Sequence, residues 1–279
     1  ALRSMYPHSE TNSFRLINGE GDGFPGLVID IYFDTAVIKH DHPIMEELWD
    51  RYAIARLITQ DFPRIGCVYY KRRNDDDSKG ENLVGQLRSE VQFLENGVSF
   101  ASNIRDAAKT GFFLDQRDNR KLISQFSKDK SVLNLFSYTG GFSLFAAKGG
   151  ATEVTSVDIA KAAISAVERN FEINNFQTKH EDIAIDAFEF IAQSVKEKRL
   201  FDLVITDPPS FAPNQKAVEK ATDGYTRVYS DSLKLVRPDG LFAASSCSSP
   251  INFEMFLEIT KESFAKACKK GTLVYLGGQ

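Results

Sequence analysis

From residue 130 onward the sequence alternates between short β-rich apolar runs and segments whose apolar residues recur at helical spacing, and this alternation restricts the fold more than any other feature of the chain. The runs are Val132–Phe136, Val154–Val157, Leu203–Ile205, Leu241–Ala244 and Leu273–Leu276, with a weaker one at Ile183–Ile185. Between them, Ala160, Ile164, Val167 and Phe171 share one helical face, and Phe253, Phe256, Leu257, Thr260 and Phe264 share another. Short connections between such elements imply right-handed βαβ units, hence an α/β fold with a doubly wound, mostly parallel sheet. Ligands of these sheets sit beyond the carboxyl ends of the strands, near the reversal of strand order.

The first part of the chain has a different rhythm. Runs at Gly26–Tyr32 and Ala36–Ile38 precede a helical pattern through Ile44, Leu48, Tyr52 and Ala55, and then a strand at Cys67–Tyr70. The polar tract Lys71–Asp77 reads as a loop. Val91–Leu94 and Val98–Ala101 flank Asn96-Gly97, a dipeptide that accepts the positive φ angles of a hairpin turn. The expected organisation is a small α+β substrate-recognition domain over 1–105 and a sheet domain over 106–279.

With 42% apolar and 26% charged residues, the 279-residue chain is globular in composition. It has no run of ~20 apolar residues and no signal-peptide core at its start, so a cytoplasmic protein without a membrane segment is expected. Cys67, Cys247 and Cys268 are scattered, which argues against disulfides and structural zinc. The net charge of −4 excludes a body that grips nucleic acid by bulk electrostatics, leaving local patches such as Lys71-Arg72-Arg73 and Arg117 to Lys121. His40-Asp41-His42 lacks a third ligand and reads as a solvated strand end, so no metal is expected.

The strand ends carry the chemistry. Phe136-Ser137-Tyr138-Thr139-Gly140-Gly141 permits close approach of backbone to a ligand but lacks the G-x-G-x-x-G of a dinucleotide fold, which disfavours a dehydrogenase. Asp158, which ends the second strand, could accept the vicinal hydroxyls of a ribose or cap the next helix. Asp186-Ala187 after the third strand could take an adenine amine, with capping as the alternative. Asp207-Pro208-Pro209-Ser210-Phe211 is a stiff turn without helical slack, and Ser245-Ser246-Cys247-Ser248 sets a thiol at the same edge.

On these residues the sequence resembles the class I S-adenosylmethionine-dependent methyltransferases grouped with the bacterial 23S ribosomal RNA 5-methylcytosine methyltransferase. The matching segments are Arg15–Asp30, Lys109–Arg120, Asn134–Phe142, Asp158, Asp207-Pro208-Pro209 and Ser246-Cys247-Ser248. The resemblance implies a Rossmann-like sheet and S-adenosyl-L-methionine held by Phe136, Tyr138, Thr139, Gly140, Asp158, Ile159, Asp186, Ala187 and Asp207, with Gln116 and Arg117 reaching in from before the sheet. It implies Cys247 as nucleophile and Asp207 as partner of the cytosine edge, with RNA, ribosomal RNA first, as substrate; a homodimer is left open. Members often begin with a PUA-type domain, which this chain is expected to lack. Methylation of a base amine or ring nitrogen without a thiol is the rival chemistry, and a non-catalytic nucleic-acid-binding scaffold is the rival class.

Overall fold

The computed structural model describes residues 8–72, 80–107, 109–212 and 214–277, and the chain divides into two compact units, Ala1–Arg117 and Asp118–Gln279. In the first unit, strands β1 (Ser13–Asn18), β2 (Leu27–Tyr32), β3 (Thr35–His40), β4 (Cys67–Tyr70) and β5 (Glu81–Val84) form a sheet in sequential order. All neighbours are antiparallel except β3 and β4. Helix α1 (Met45–Leu48) stops at Trp49, where the backbone is extended, and α2 (Arg51–Asp61) starts afresh because the Asp50 carboxylate accepts from the amides of Tyr52 and Ala53 at 2.9 and 3.2 Å. That interruption shifts the helical phase. Ala55 and Ile58 face the core with Ile29, Ile31 and Val68, while Ile44, Leu48 and Tyr52, expected on the buried face, are exposed.

The hairpin of β6 (Val91–Glu95) and β7 (Val98–Ser102) turns through Asn96 and Gly97 at φ 47° and 72°, as the dipeptide requires. Residues 106–117, assigned from the sequence to the second domain, pack into this first unit. Phe112 meets Phe93 and Phe100 at ring separations of 5.4 and 4.6 Å, and its amide donates to the Tyr32 hydroxyl at 3.1 Å. The Arg15–Asp30 motif has a structural basis: Asp30 is fully buried and takes the Arg15 guanidinium through two bonds of 2.8 and 2.9 Å, with the Thr110 hydroxyl as a third donor.

The second unit begins in α3 (Arg117–Phe126) and carries β8 (Ser131–Leu135), α4 (Gly141–Lys148), β9 (Glu153–Asp158), α5 (Lys161–Asn174), β10 (Lys179–Ala184) and α6 (Ala187–Lys196). β11 (Phe201–Thr206), α7 (Val218–Leu233), β12 (Val236–Ala244) and α8 (Phe253–Lys266) complete it. The sheet is wholly parallel in the order β10-β9-β8-β11-β12, the doubly wound arrangement expected from the alternation. Leu133 and Leu135 join Phe190, Tyr225 and Tyr229 in one apolar cluster, whereas the intervening Asn134 bonds Ser143 of α4 at 2.9 Å, so helices cover both faces.

The expected strand at Leu273–Leu276 is not formed. Leu273 and Val274 are 64% and 67% exposed and no described strand lies beside them; β propensity yields a strand only where a neighbour supplies the ladder and one face is buried. Among the described residues no helix is long and apolar enough to cross a membrane.

Candidate active site

Strand order reverses between β8 and β11, and the loop at the carboxyl end of β8 takes an unusual backbone. Phe136, Tyr138 and Gly140 alternate into positive φ at 58°, 47° and 81°. Left-handed φ costs a side-chain-bearing residue roughly 1–2 kcal/mol, so the loop must be held from outside. The Ser137 amide donates to the Val157 carbonyl, the Tyr138 amide to Asp158 Oδ2, and Asn170 Nδ2 to the Thr139 carbonyl, each at 2.9 Å. A Cβ on Gly140 would stand 2.9 Å from Val167 Cγ1 and 3.0 Å from Leu144 Cδ1, so the glycine is also required by space.

Asp158 is therefore more than a cap. Its Oδ1 accepts the Ala160 amide at 2.9 Å while Oδ2 holds Tyr138, and each carboxylate oxygen has a further lone pair. Ile159, the next residue, is 71% exposed, an apolar side chain beside the acid where a base ring would need contact. Asp186 does cap α6, accepting from Phe188 and Glu189 at 2.9 and 3.2 Å, but both bonds fall on Oδ1. Ala187 is buried, and the ring of Phe188 lies under the Arg227 guanidinium at 5.3 Å. Two buried hydroxyls at the strand ends, Ser137 Oγ and Thr206 Oγ1, have no partner among the described residues. Orphaned buried donors are uncommon, and with the bare backbone at Gly140 they fit a polar ligand such as S-adenosylmethionine. The sequence reading passed over both, although Thr206 directly precedes Asp207.

At the neighbouring strand ends, Asp207 accepts from the Ser245 hydroxyl at 2.5 Å. Cys247 is exposed, with Sγ 3.9 Å from the Pro208 carbonyl. Ser248 is 3% exposed and ties the two loops together, its Oγ lying 3.0 Å from Ser210 Oγ, 3.1 Å from the Ala212 amide and 2.7 Å from the Tyr225 hydroxyl. Burial beside Asp34 pushes the Cys67 thiol up to about 11, so that cysteine is a core residue.

Gln116 is buried in a single turn, Leu114–Gln116, and the Arg117 guanidinium pairs with Glu95 at 3.4 Å and with the Ser13 carbonyl, all within the first unit. Two phosphate-binding readings change accordingly. Arg117 is engaged internally and Arg120 is buried. Lys71 is 4% exposed, its ammonium bound by the carbonyls of Ile104 and Ala107, while Arg73 lies outside the described residues. His40 is not a solvated strand end: it is buried against Tyr70, Nδ1 to hydroxyl 3.1 Å, and burial lowers its pKa. Among the described residues no group of three or more potential ligands could hold a metal.

A doubly wound parallel sheet with a glycine-bearing loop after its first strand, an acid after its second and Asp-Pro-Pro after its fourth is the architecture of folds that bind nucleotides at the switch point. Within it, the chain belongs to the S-adenosylmethionine-dependent methyltransferase family, whose profile matches residues 55–268. It is 35% identical over 272 residues to the ribosomal RNA large subunit methyltransferase of Deinococcus radiodurans, covering 94% of this chain and 66% of the relative. It is 36% identical over 259 residues to the ribosomal RNA large subunit methyltransferase I of Shewanella denitrificans, covering 90% and 64%. The chain thus spans just under two thirds of these relatives. Among solved structures it resembles a candidate SAM-dependent methyltransferase from Streptococcus mutans, with TM-score 0.83, 30% identity, and 95% and 69% coverage. It also resembles a candidate methyltransferase complexed with SAH, with TM-score 0.84, 31% identity, and 100% and 72% coverage.

Proposed function

We propose that this chain methylates carbon 5 of a cytosine in RNA, ribosomal RNA in the first place, with Cys247 as covalent nucleophile. The observation that carries the reading is the exposed thiol at the end of β12, set beside the Asp207-Pro208 turn. The names of the Deinococcus and Shewanella relatives support ribosomal RNA as the substrate. S-adenosylmethionine, when bound, supplies an electrophilic methyl group. On this reading Asp158 takes the ribose hydroxyls, Phe136, Tyr138, Thr139 and Gly140 line the loop against the donor, and Ile159, Asp186 and Ala187 flank the adenine. The orphaned hydroxyls of Ser137 and Thr206 serve the donor's polar groups.

Carbon 5 of cytosine is a poor nucleophile. Addition of the Cys247 thiolate to carbon 6 passes an electron pair toward carbon 5, which then takes the methyl group; loss of the carbon 5 proton to a general base expels the thiolate and restores the ring double bond. Asp207, held by Ser245, accepts from the cytosine amine. The first unit is the substrate-recognition module on this reading, since none of its strands enters the parallel sheet.

RNA carrying 5-fluorocytosine tests the chemistry, because fluorine cannot leave as a proton does. A trapped adduct should map to Cys247, and Cys247→Ala should abolish turnover while still binding the donor. Turnover of that variant near the parental rate would replace the cytosine reading with methylation of an amine or ring nitrogen.

A further inference from the structure

The loop that carries Cys247 is fixed on both sides of the thiol by one helix. Tyr225 and Tyr229 stand four residues apart on α7, and therefore on one face of it. Both are buried, with ring centroids 5.7 Å apart. The Tyr229 hydroxyl donates to the Ser245 carbonyl at 2.7 Å, two residues before the cysteine. The Tyr225 hydroxyl lies 2.7 Å from Ser248 Oγ, one residue after it. A serine hydroxyl offers one donor and two acceptor positions, and Ser248 fills all three with Tyr225, Ser210 and the Ala212 amide. Burial, together with Tyr225, Asp207 and Cys247 nearby, holds the Tyr229 phenol well above the usual tyrosine range, so it stays a donor throughout the working pH range.

We infer that Tyr225 and Tyr229 are positioning residues that hold the Cys247 loop and the Asp207 loop in one fixed arrangement for the transfer step. The inference rests on the reading of Cys247 as nucleophile and adds the element that aims it. Covalent attack requires the sulfur and carbon 6 to be held about 3–3.5 Å apart in a narrow range of directions, and an exposed thiol on an unanchored loop would lose most of that advantage. Asp158, proposed to hold the ribose, bonds the Tyr138 and Ala160 amides, whereas the two tyrosines bond Ser248 and Ser245, so the two functions can be separated by experiment.

Tyr225→Phe removes one oxygen and leaves the ring packed on Phe211, 4.7 Å between centroids. With the full chain, the expected result is a fall in kcat of about tenfold, unchanged KM for the methyl donor, and faster deuterium uptake in peptides covering 207–212 and 245–250 but not 136–140. Tyr229→Phe should act in the same direction. Ser232→Ala, which deletes a buried hydroxyl that donates to the Val228 carbonyl of the same helix, should leave all three readouts at parental values. Parental kcat and exchange in Tyr225→Phe, or an equal loss in Ser232→Ala, would overturn the inference. Cys247→Ala measured in parallel keeps the two readings apart: its turnover reports the nucleophile, whereas loop exchange in the tyrosine variants reports the anchoring itself.

Discussion

The backbone amide of Tyr138 donates to the Asp158 carboxylate at 2.9 Å, so the acid at the end of β9 holds a left-handed residue at the end of β8. The same side chain thus shapes the loop and, on the proposed reading, takes the ribose hydroxyls. Asp158→Ala should lower affinity for S-adenosylmethionine and its demethylated product at least tenfold by calorimetry, since hydrogen bonds to a charged acceptor are worth about 1.5–3 kcal/mol. Asp186→Ala removes a carboxylate that caps α6 by accepting the amides of Phe188 and Glu189, and should cost less affinity and more thermal stability.

Gly140→Ala places a methyl group 2.9 Å from Val167 Cγ1 in a residue at φ 81°. The expected loss is about 1–3 kcal/mol of unfolding free energy, read from denaturant midpoints, together with weaker donor binding. A variant as stable as the parent would mean that the loop relaxes without its left-handed turn.

Iodoacetamide at neutral pH should label Cys247 and Cys268, both exposed, and spare Cys67, whose thiol is held up at about 11. Peptide mass spectrometry reads the outcome. Labelling of Cys67 at a rate comparable to the other two would contradict the buried β4 environment.

Burial holds the Lys71 ammonium down at about 8, against 10.5 for an ordinary lysine. Between those values the unfolded chain binds more protons than the folded one, so this group makes stability rise with pH across that window, and its penalty is fully present below pH 8. Relative to Lys71→Met, the parent should gain stability from pH 8 to 10.5, by no more than about 1.4 kcal/mol per pH unit. A pH-independent difference would place the amine in water.

The parallel sheet was legible because strands covered on both faces need mainly apolar runs; Leu203–Ile205 is one, and Val132–Leu135 is another, broken by Asn134 alone. Asn96-Gly97 was legible because its chemistry is local. Leu273–Leu276 misled because a strand is a relation between two segments, of which the sequence displays one. Lys71 and His40 misled for a related reason: the carbonyls of Ile104 and Ala107 and the hydroxyl of Tyr70 that make burial tolerable are supplied from distant positions. At the site, Asp207 and Cys247 stood out by residue type. Ser248 and the two tyrosines did not, since one serine in a serine-rich turn and tyrosines on a buried helical face carry no mark of the contacts they make.

The saturated hydroxyl of Ser248 also limits how this edge of the protein can diversify. Any replacement that enlarges Ser248, or that draws Ser210 or Tyr225 away, leaves a buried polar group without a mate in a different segment of the chain. The turn after β11, the turn after β12 and the inner face of α7 therefore behave as a single heritable block. Transplanting the proposed Cys247 and Asp207 chemistry into another sheet of this kind would require moving all three segments together.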